Sequence, residues 1–420
     1  MSSNKRSSNK SASNKPLSRR ALLSSGVGVA GAVILSGTTG WAANAATPAL
    51  RSAAGAPPAT GEVAILSAPR AEQSWSALAK YLLATDGSNL AYQNFPRQTG
   101  DNPYAYEWSH SQVHVGALDL LAMQPGNASR TRLAGIAAGQ EHYWEPTSTS
   151  GMPGYASYLP APYGTGGDLF YDDNEWVGLE KIQLYLMTHD EDALSRAEQI
   201  FSLVVSGWDT DASHADPGGV FWTQASWSQD RNTVSNMPAA LLAARLYSAT
   251  GRSDYLTWAR RFYDWTNTYL LDTDSLYFDH VDLAGNVQKT KWSYNQGIPL
   301  AAAVALYKAT GDARYLQHAK DVAEASYQYY VIDGNLSSQP IYFNSIYFKS
   351  LLLLSATTGD TKYYNAMSTY ADQLWEQHRD SATGLISKDT PGVTQSLEQG
   401  AAVQIFAVLA CHRHQWDMLY

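Results

Sequence analysis

LYSATG, at residues 246–251, recurs in this chain as LYKATG at 306–311 and as LSATTG at 354–359. Leucine and alanine at helical spacing lead into each copy. The closing glycine can adopt the left-handed conformation that ends a helix. A second segment with helical periodicity follows each copy, over 255–271, 315–331 and 363–378. The repeat therefore predicts a series of helical hairpins.

Weaker copies of the hairpin lie upstream, over residues 118–144 and 184–206. With further helices at 73–85 and 395–410, the sequence predicts about twelve helices, none of which shows strand-like alternation. A hairpin cannot bury its own apolar face, so hairpins must stack, and six of them can close into a double-walled ring. We predict an all-α fold, an (α/α)6 toroid of six helical hairpins, with an open solenoid as the competing architecture.

The two helices of each predicted hairpin differ in their patterns. Residues 239–246, 299–306 and 351–354 are largely apolar, which indicates an inner wall. Residues 258–262 and 318–322 alternate charged and apolar side chains, as an outer wall would. The loops that lead into the inner helices are long and rich in Gly, Asp, Asn and aromatic residues. Functional residues are expected in such loops on a rigid scaffold.

Residues 1–45 have the pattern of a bacterial twin-arginine signal peptide. Arg19-Arg20 leads into an apolar run, and small residues at 43–45 form a cleavage site. The run is too short to span a bilayer comfortably, although an uncleaved anchor is the alternative. We therefore predict export and no stable membrane insertion after cleavage. A flexible linker rich in Ala, Pro and Gly is predicted over 46–61, and a folded domain over 62–420.

Charge and cysteine content exclude several classes of protein. The chain has 29 basic and 38 acidic residues, and removing the predicted signal peptide leaves 23 basic residues and a net charge of about −15. No basic stripe follows residue 51, which argues against a nucleic acid partner. The one cysteine, Cys411, excludes an intramolecular disulfide and a thiolate-rich metal site.

YDDNEW, at residues 171–176, begins a predicted inner helix after a loop dense in Gly, Pro and Tyr. One interpretation is structural: Asp172 is the N-cap, Glu175 completes a capping box, and the helix dipole stabilises the acids. The other is catalytic. Adjacent residues have Cα atoms about 3.8 Å apart, and their diverging side chains can place two carboxyl groups near the roughly 5 Å separation of a retaining glycosidase. The position at the mouth of a ring, beside aromatic residues, favours the catalytic interpretation.

The sequence resembles glycoside hydrolase family 76 over nearly all of the predicted mature chain. Four motifs carry the resemblance: DDNEW at 172–176, GGVFW at 218–222, RNTVSN at 231–236 and WSYNQG at 292–297. The resemblance implies an (α/α)6 toroid that acts on α-1,6-linked mannans, with Asp172 as nucleophile and Asp173 as general acid/base. The chain departs from the family's pattern at Asp216-Pro217, where Cys-Gly is common, and at Arg231, where Lys is frequent. These departures leave the subsite preference open.

Seven further side chains are predicted to bind substrate: Trp176, Trp222, Asn232, Asn236, Tyr294, Asn295 and Gln296. The tryptophans can stack on sugar rings, although buried aromatic residues more often belong to the core. The asparagines can bind hydroxyls or simply cap helices. Glu107, His110 and His114 are of metal-binding types but lack the zinc-protease pattern, so no metal and no cofactor are predicted.

Together these features predict a secreted, monomeric glycosidase that cleaves α-1,6-linked mannan through a covalent intermediate on Asp172. Two alternatives stay open. A transglycosidase, or a hydrolase of another α-linked glycan, would use the same two carboxylates. A non-catalytic glycan-binding protein of the cell envelope would use the Asp pair only to bind hydroxyls.

Overall fold

The structure is a computed structural model, and it describes residues 60–420. The predicted signal peptide at 1–45 lies outside these residues, as does the predicted linker as far as residue 59. The last two residues of that linker, Thr60 and Gly61, instead begin the first helix. In the part of the chain that the structure describes, no helix is both long enough and apolar enough to cross a membrane.

The described residues contain twelve α-helices in two alternating layers. The outer layer consists of α1 (Thr60–Tyr81), α3 (Asn127–Gln140), α5 (Glu191–Ser206), α7 (Ser253–Tyr269), α9 (Ala313–Ser326) and α11 (Lys362–Gln377). The inner layer consists of α2 (Glu107–Met123), α4 (Tyr171–Thr188), α6 (Thr233–Thr250), α8 (Tyr294–Thr310), α10 (Ile341–Thr358) and α12 (Ser396–Ala410). Helix α1 begins 13 residues before its predicted start and contains Pro69, a residue type that usually interrupts a helix.

The inner helices form a closed ring. Each packs against the next, from α2 to α12, and α12 packs back against α2. Five outer helices pack against the inner helix that precedes them, while α1 packs against α12, so the first and last helices form the sixth hairpin. The predicted (α/α)6 toroid is therefore confirmed, and the open solenoid is wrong.

Burial distinguishes the two layers as the sequence predicts. In α6 every residue from Thr233 to Leu246 is buried, whereas α7 buries a stripe that includes Tyr255, Ala259 and Phe262. The glycines of the repeated phrase end α6, α8 and α10 in the left-handed conformation, with φ of 74°, 71° and 90°. A residue with a Cβ is strained there, which explains why the same glycine recurs.

Seven short β-strands lie in the loops that lead into the inner helices. They form two pairs and one three-stranded sheet, from β1 (Asn94–Phe95), β2 (Trp144–Glu145), β3 (Gly154–Tyr155), β4 (Asp230–Asn232), β5 (His280–Asp282), β6 (Val287–Gln288) and β7 (Thr394–Gln395). Strand β5 is central in the sheet and pairs antiparallel with β4, so that Asn232 lies opposite His280. Strands of two or three residues are too short to show alternation, and the sequence analysis does not predict them.

A polar side chain near the start of each inner helix hydrogen-bonds the loop that precedes the helix. In α4, Asn174 Oδ1 accepts the N–H of Tyr155 at 2.7 Å, and Asn174 Nδ2 donates to the carbonyl of Tyr155 at 3.0 Å. Asn236 forms the same pair of bonds with Val220, at 2.9 and 3.4 Å. Each side-chain amide thus binds both the N–H and the C=O of a buried loop residue, as a neighbouring strand would.

The other four inner helices repeat this contact with different side chains. Gln296 in α8 accepts the N–H of Tyr277 and donates to its carbonyl. Gln399 in α12 accepts the N–H of Ile386, and His110 in α2 accepts that of Ala91. Asn344 in α10 donates to the carbonyls of Leu336 and Gln339. The ring of helices therefore fixes the loops at one end of the toroid.

Asn236→Ala should destabilise the protein by about 2–4 kcal/mol, because it leaves buried backbone groups of Val220 and Asn232 without partners. Urea denaturation followed by circular dichroism measures the change. Asn365→Ala, at a half-buried position on the outer helix α11, is the matched control and should change the free energy of unfolding by less than about 0.5 kcal/mol. Equal small effects at the two positions would contradict this role for Asn236.

Candidate active site

All six inner helices run in the same direction, because each follows an outer helix and every hairpin reverses the chain. Their N-termini therefore share one rim of the toroid, where the long loops and short strands also lie. The positive ends of six helix dipoles converge there, which favours ionised carboxylates at this rim. The acids and aromatic residues singled out in the sequence are concentrated at these N-termini.

Asp172 and Asp173 are the second and third residues of α4. The N-cap is Phe170, whose backbone is extended and whose side chain makes no capping bond. The capping-box interpretation of Asp172 and Glu175 is therefore wrong. Asp172 is completely buried, and Asp173 is 5% exposed, so the second carboxyl group is the more open to the rim.

Trp222 contacts Asp172 directly. Its indole Nε1 donates a hydrogen bond to Asp172 Oδ2 at 3.3 Å, and its ring packs edge-on against Phe170. The backbone N–H of Tyr171 donates to the carbonyl of Trp222 at 2.9 Å. Phe170 and Thr223 pair in an isolated antiparallel β-bridge. The loop that carries Trp222 is thus paired with the start of α4, which sets the position of the indole relative to the carboxylate.

Glu175 places a third carboxyl group below the pair, one turn further along α4. It is completely buried. Burial raises the pKa of Glu175 well above its ordinary value, and the negative charges of Asp172 and Asp173 raise it further. The protonated form of Glu175 is therefore favoured, which spares the pair the repulsion of a third negative charge.

A second polar cluster lies at the same rim, on the sheet that precedes α6 and α8. His280 contacts Asp279 through Nδ1 at 2.9 Å and Asp230 through Nε2 at 3.7 Å. Asn295 Nδ2 donates to Asp279 Oδ1 at 3.2 Å. Phe221 and Arg231 pair in an isolated antiparallel β-bridge. The backbone segments that carry Trp222 and Asp230 therefore lie side by side. Asp230, Asp279 and His280 are not among the residues predicted from the sequence, although Asp230 directly precedes the RNTVSN motif.

Two amide oxygens in this region are buried without a hydrogen-bond partner among the described residues. They are Asn232 Oδ1 and Asn295 Oδ1. Asn232 occupies the N-cap position of α6, but its side chain makes no capping bond there, and Asn295 is bound through its nitrogen alone. A buried acceptor without a partner is costly, so both atoms are suited to accept hydroxyl hydrogens from a ligand.

The remaining predicted binding residues have other surroundings. The amides of Asn236 and Gln296 are already bonded to backbone groups of the loops. Trp176 is completely buried and stacks on Tyr420, with ring centroids 6.1 Å apart, so it lies in the interior of the ring. Tyr294 stacks on Phe343 at 3.9 Å at the rim. Sugar binding by these four side chains stays a prediction.

Polar side chains fill the middle of the ring below the rim. Lys349 Nζ lies 3.6 Å from Asp119 Oδ2 and donates to Gln404 at 2.8 Å, with both charged groups completely buried. Burial lowers the pKa of Lys349 and raises that of Asp119. Tyr420 packs under the Lys349 ammonium. This network joins three inner helices, α2, α10 and α12, inside the ring.

The histidines of metal-binding type take structural roles. His110 accepts a backbone N–H, and burial lowers its pKa to about 4. His114 Nδ1 lies 3.0 Å from the buried carboxylate of Glu180. Over residues 60–420, no group of three or more His, Cys, Asp or Glu side chains could hold a metal ion.

Residues 147–405 match the model of glycosyl hydrolase family 76, and the chain belongs to this family. It is 32% identical over 142 residues to mannan endo-1,6-alpha-mannosidase DCW1 of Candida albicans, a match that covers 32% of this chain and 31% of that protein. The chain thus matches about a third of the length of this relative.

Solved structures share the whole fold. The family 76 mannosidase Bt3792 of Bacteroides thetaiotaomicron superposes with a TM-score of 0.74 at 25% identity, over 82% of this chain and 98% of that one. An inactive variant of the α-1,6-mannanase GH76A of Salegentibacter sp., with two consecutive aspartates replaced by asparagine, is bound to α-1,6-mannotriose. It superposes with a TM-score of 0.66 at 19% identity, over 82% of this chain and 99% of that one. At that identity the likeness shows the fold alone.

Glu398, the third residue of α12, is a further titratable carboxyl group at the rim, separate from Asp172 and Asp173. Its Oε1 accepts the backbone N–H groups of Lys388 and Asp389. Burial raises the pKa of Glu398 to about 8, and the charge of Asp389 contributes. Between about pH 4.5 and pH 8 the unfolded chain releases this proton while the folded protein keeps it, so stability falls as the pH rises.

Glu398→Gln should reduce this pH dependence, because the amide keeps the accepting oxygen and removes the titration. We expect the melting temperature of the wild type to fall more between pH 5 and pH 8 than that of the variant. Differential scanning calorimetry at three pH values measures the slopes. Glu376→Gln, at an exposed acid on α11, should keep the wild-type slope. Equal slopes for Glu398→Gln and wild type would contradict this assignment.

Proposed function

We propose that this chain is an exported glycoside hydrolase that cleaves α-1,6-linked mannan with retention of configuration. The observation that carries the proposal is the adjacent pair Asp172 and Asp173 in the first turn of α4, with the Trp222 indole bonded to Asp172. Membership of family 76 supports glycosidase chemistry, and the α-1,6-mannan-cleaving relatives supply the substrate class.

Asp172 is the nucleophile in this proposal. The Trp222 N–H and the N-terminus of α4 both favour the ionised carboxylate, and the indole holds it in one orientation. Asp172 attacks the anomeric carbon while Asp173 transfers its proton to the leaving oxygen, which breaks the glycosidic bond. Asp173 then removes a proton from water, the water oxygen attacks the anomeric carbon, and Asp172 leaves as a carboxylate.

The other rim residues bind the sugar. Asn232 Oδ1 and Asn295 Oδ1 are buried acceptors that mannose hydroxyls would satisfy. Asp279 and Asp230 lie beside them and accept further hydroxyl hydrogens. A neutral polysaccharide also suits an acidic protein, since it meets no repulsion from the net charge of −9. The protein would act as a monomer after the twin-arginine signal directs export, without a cofactor.

Asp172→Asn and Asp173→Asn should each reduce the release of reducing ends from α-1,6-mannan by at least about 1,000-fold, since the first removes the nucleophile and the second removes the general acid/base. Purified wild type and variants are compared at equal concentration, with folding checked by circular dichroism. Asp168→Asn, in the same loop but outside α4, is the matched control and should stay within about threefold of the wild type. Wild-type release no greater than that of the variants would contradict the proposal.

Azide separates the roles of the two acids. With an activated aryl α-1,6-mannobioside, Asp173→Ala should be rescued to give the α-configured glycosyl azide, because the covalent intermediate still forms. Asp172→Ala should give the β-configured azide, since azide replaces the nucleophile. Exchange of the two products between the variants would reverse the assignment. Proton NMR of early wild-type products tests retention, and trapping by added mannose acceptors measures transglycosylation.

Trp222→Phe should lower kcat/KM on α-1,6-mannan by about 10- to 100-fold, because it keeps the ring but removes the hydrogen bond to the Asp172 carboxylate. The acidic limb of the pH–rate profile should move to higher pH, since the ionised nucleophile loses a donor. Trp375→Phe, on the outer helix α11, controls for loss of an indole. An unchanged acidic limb in Trp222→Phe would exclude this effect on the nucleophile.

A further inference from the structure

Trp227 is a large aromatic side chain that the fold leaves in solvent. It is 48% exposed, and the other exposed large hydrophobic side chains of the described residues are the aliphatic Ile65, Leu66 and Ile332. Burial of an apolar ring is worth about 25 cal/mol per Å² of surface removed from water. A ligand that covers the exposed indole would therefore gain binding free energy from the apolar surface removed from water.

The exposed indole lies next to the candidate active site. Its centroid is 6.2 Å from the ring of Trp222, which donates to Asp172, and 6.0 Å from the ring of Phe170, the N-cap of α4. Phe170 and Trp222 are almost fully buried. A contiguous series of aromatic rings thus leads from the Asp172 carboxylate to the exposed ring of Trp227.

The loop that carries Trp227 is held in place. Thr223 Oγ1 donates to the carbonyl of Leu169 at 2.7 Å, and the N–H of Gln224 donates to the same carbonyl at 3.1 Å. The N–H of Ser228 donates to the carbonyl of Ala225, which closes a turn around Trp227. On the far side, the N–H of Ser150 donates to Gln224 Oε1 at 3.0 Å. The indole is therefore presented by an ordered loop, which reduces the entropy lost when a ligand covers it.

We propose that Trp227 is a stacking platform for a pyranose unit of the polysaccharide, outside the unit that reacts at Asp172 and Asp173. The C–H face of a pyranose packs on the indole while its hydroxyls stay in water, as expected for a site of aromatic surface with few polar groups. The assignment rests on the proposed function for the identity of the sugar. Trp227 belongs to none of the four family motifs in this sequence, so the platform is a feature of the loop at 223–229.

Trp227→Ala should raise KM for α-1,6-mannan about 5- to 10-fold and leave kcat within twofold, because stacking binds substrate and transition state alike. Trp227→Phe keeps an aromatic face and should recover most of the affinity. For the shortest α-1,6-mannooligosaccharide that is cleaved, kcat/KM should change less than twofold. Trp375→Ala, a half-buried tryptophan on α11, is the control, with melting temperatures measured for all variants. A polymer KM within twofold of the wild type in Trp227→Ala would overturn the platform.

Affinity electrophoresis in gels containing α-1,6-mannan keeps this result separate from the proposed catalysis. It is run on Asp173→Asn with and without Trp227→Ala. One outcome is that the wild type does not cleave mannan, while the gel retards Asp173→Asn but not the double variant. That outcome supports the platform and contradicts the hydrolase proposal. Equal retardation of the two proteins overturns the platform. Absence of both cleavage and retardation in the wild type overturns both proposals.

Discussion

The hydrogen bonds between the first turns of the inner helices and the loops before them are the constraint on which the rest of the structure depends. The (α/α)6 ring buries the first turns of its inner helices, so the loops that enter them pass over buried backbone. Amides such as Asn174 and Asn236 pair with that backbone at the point where each helix begins. Without these bonds the apolar helices could still form the ring, but the loops at its rim would not be held in one conformation.

The candidate site is a consequence of that constraint. Asn174 follows Asp172 and Asp173 directly, so the bond that fixes the loop at Tyr155 also fixes the turn that carries both acids. The loop held by Asn236 carries Trp222 to Asp172. The first turn of each inner helix thus lies at the rim, where one of its polar side chains binds the loop. In α4 the two residues before that side chain are the acids Asp172 and Asp173, and in α8 they are Tyr294 and Asn295.

Much of the fold could be read from periodicity. The repeated phrase placed the ends of α6, α8 and α10, and the all-apolar or striped patterns assigned inner and outer walls. Asp172 and Asp173 could be proposed as a pair, but a capping role was equally consistent with their spacing, and only the position of Phe170 removes it. Asn236 and Gln296 are predicted sugar ligands, and the sequence gives no sign of the bonds that their amides form with backbone groups of the loops.

The sequence by itself determined the helical repeat, the number of hairpins and the acidic pair, because these depend on local periodicity and on residues adjacent in the chain. Tertiary structure alone decided which contacts join segments distant in sequence: α1 with α12, Trp222 with Asp172 across 50 residues, and Trp227 with Phe170. Such contacts arise from ring closure and loop packing. Neither leaves a periodic signal in the chain, so the contacts among the aromatic rings at the rim are evident only in the folded protein.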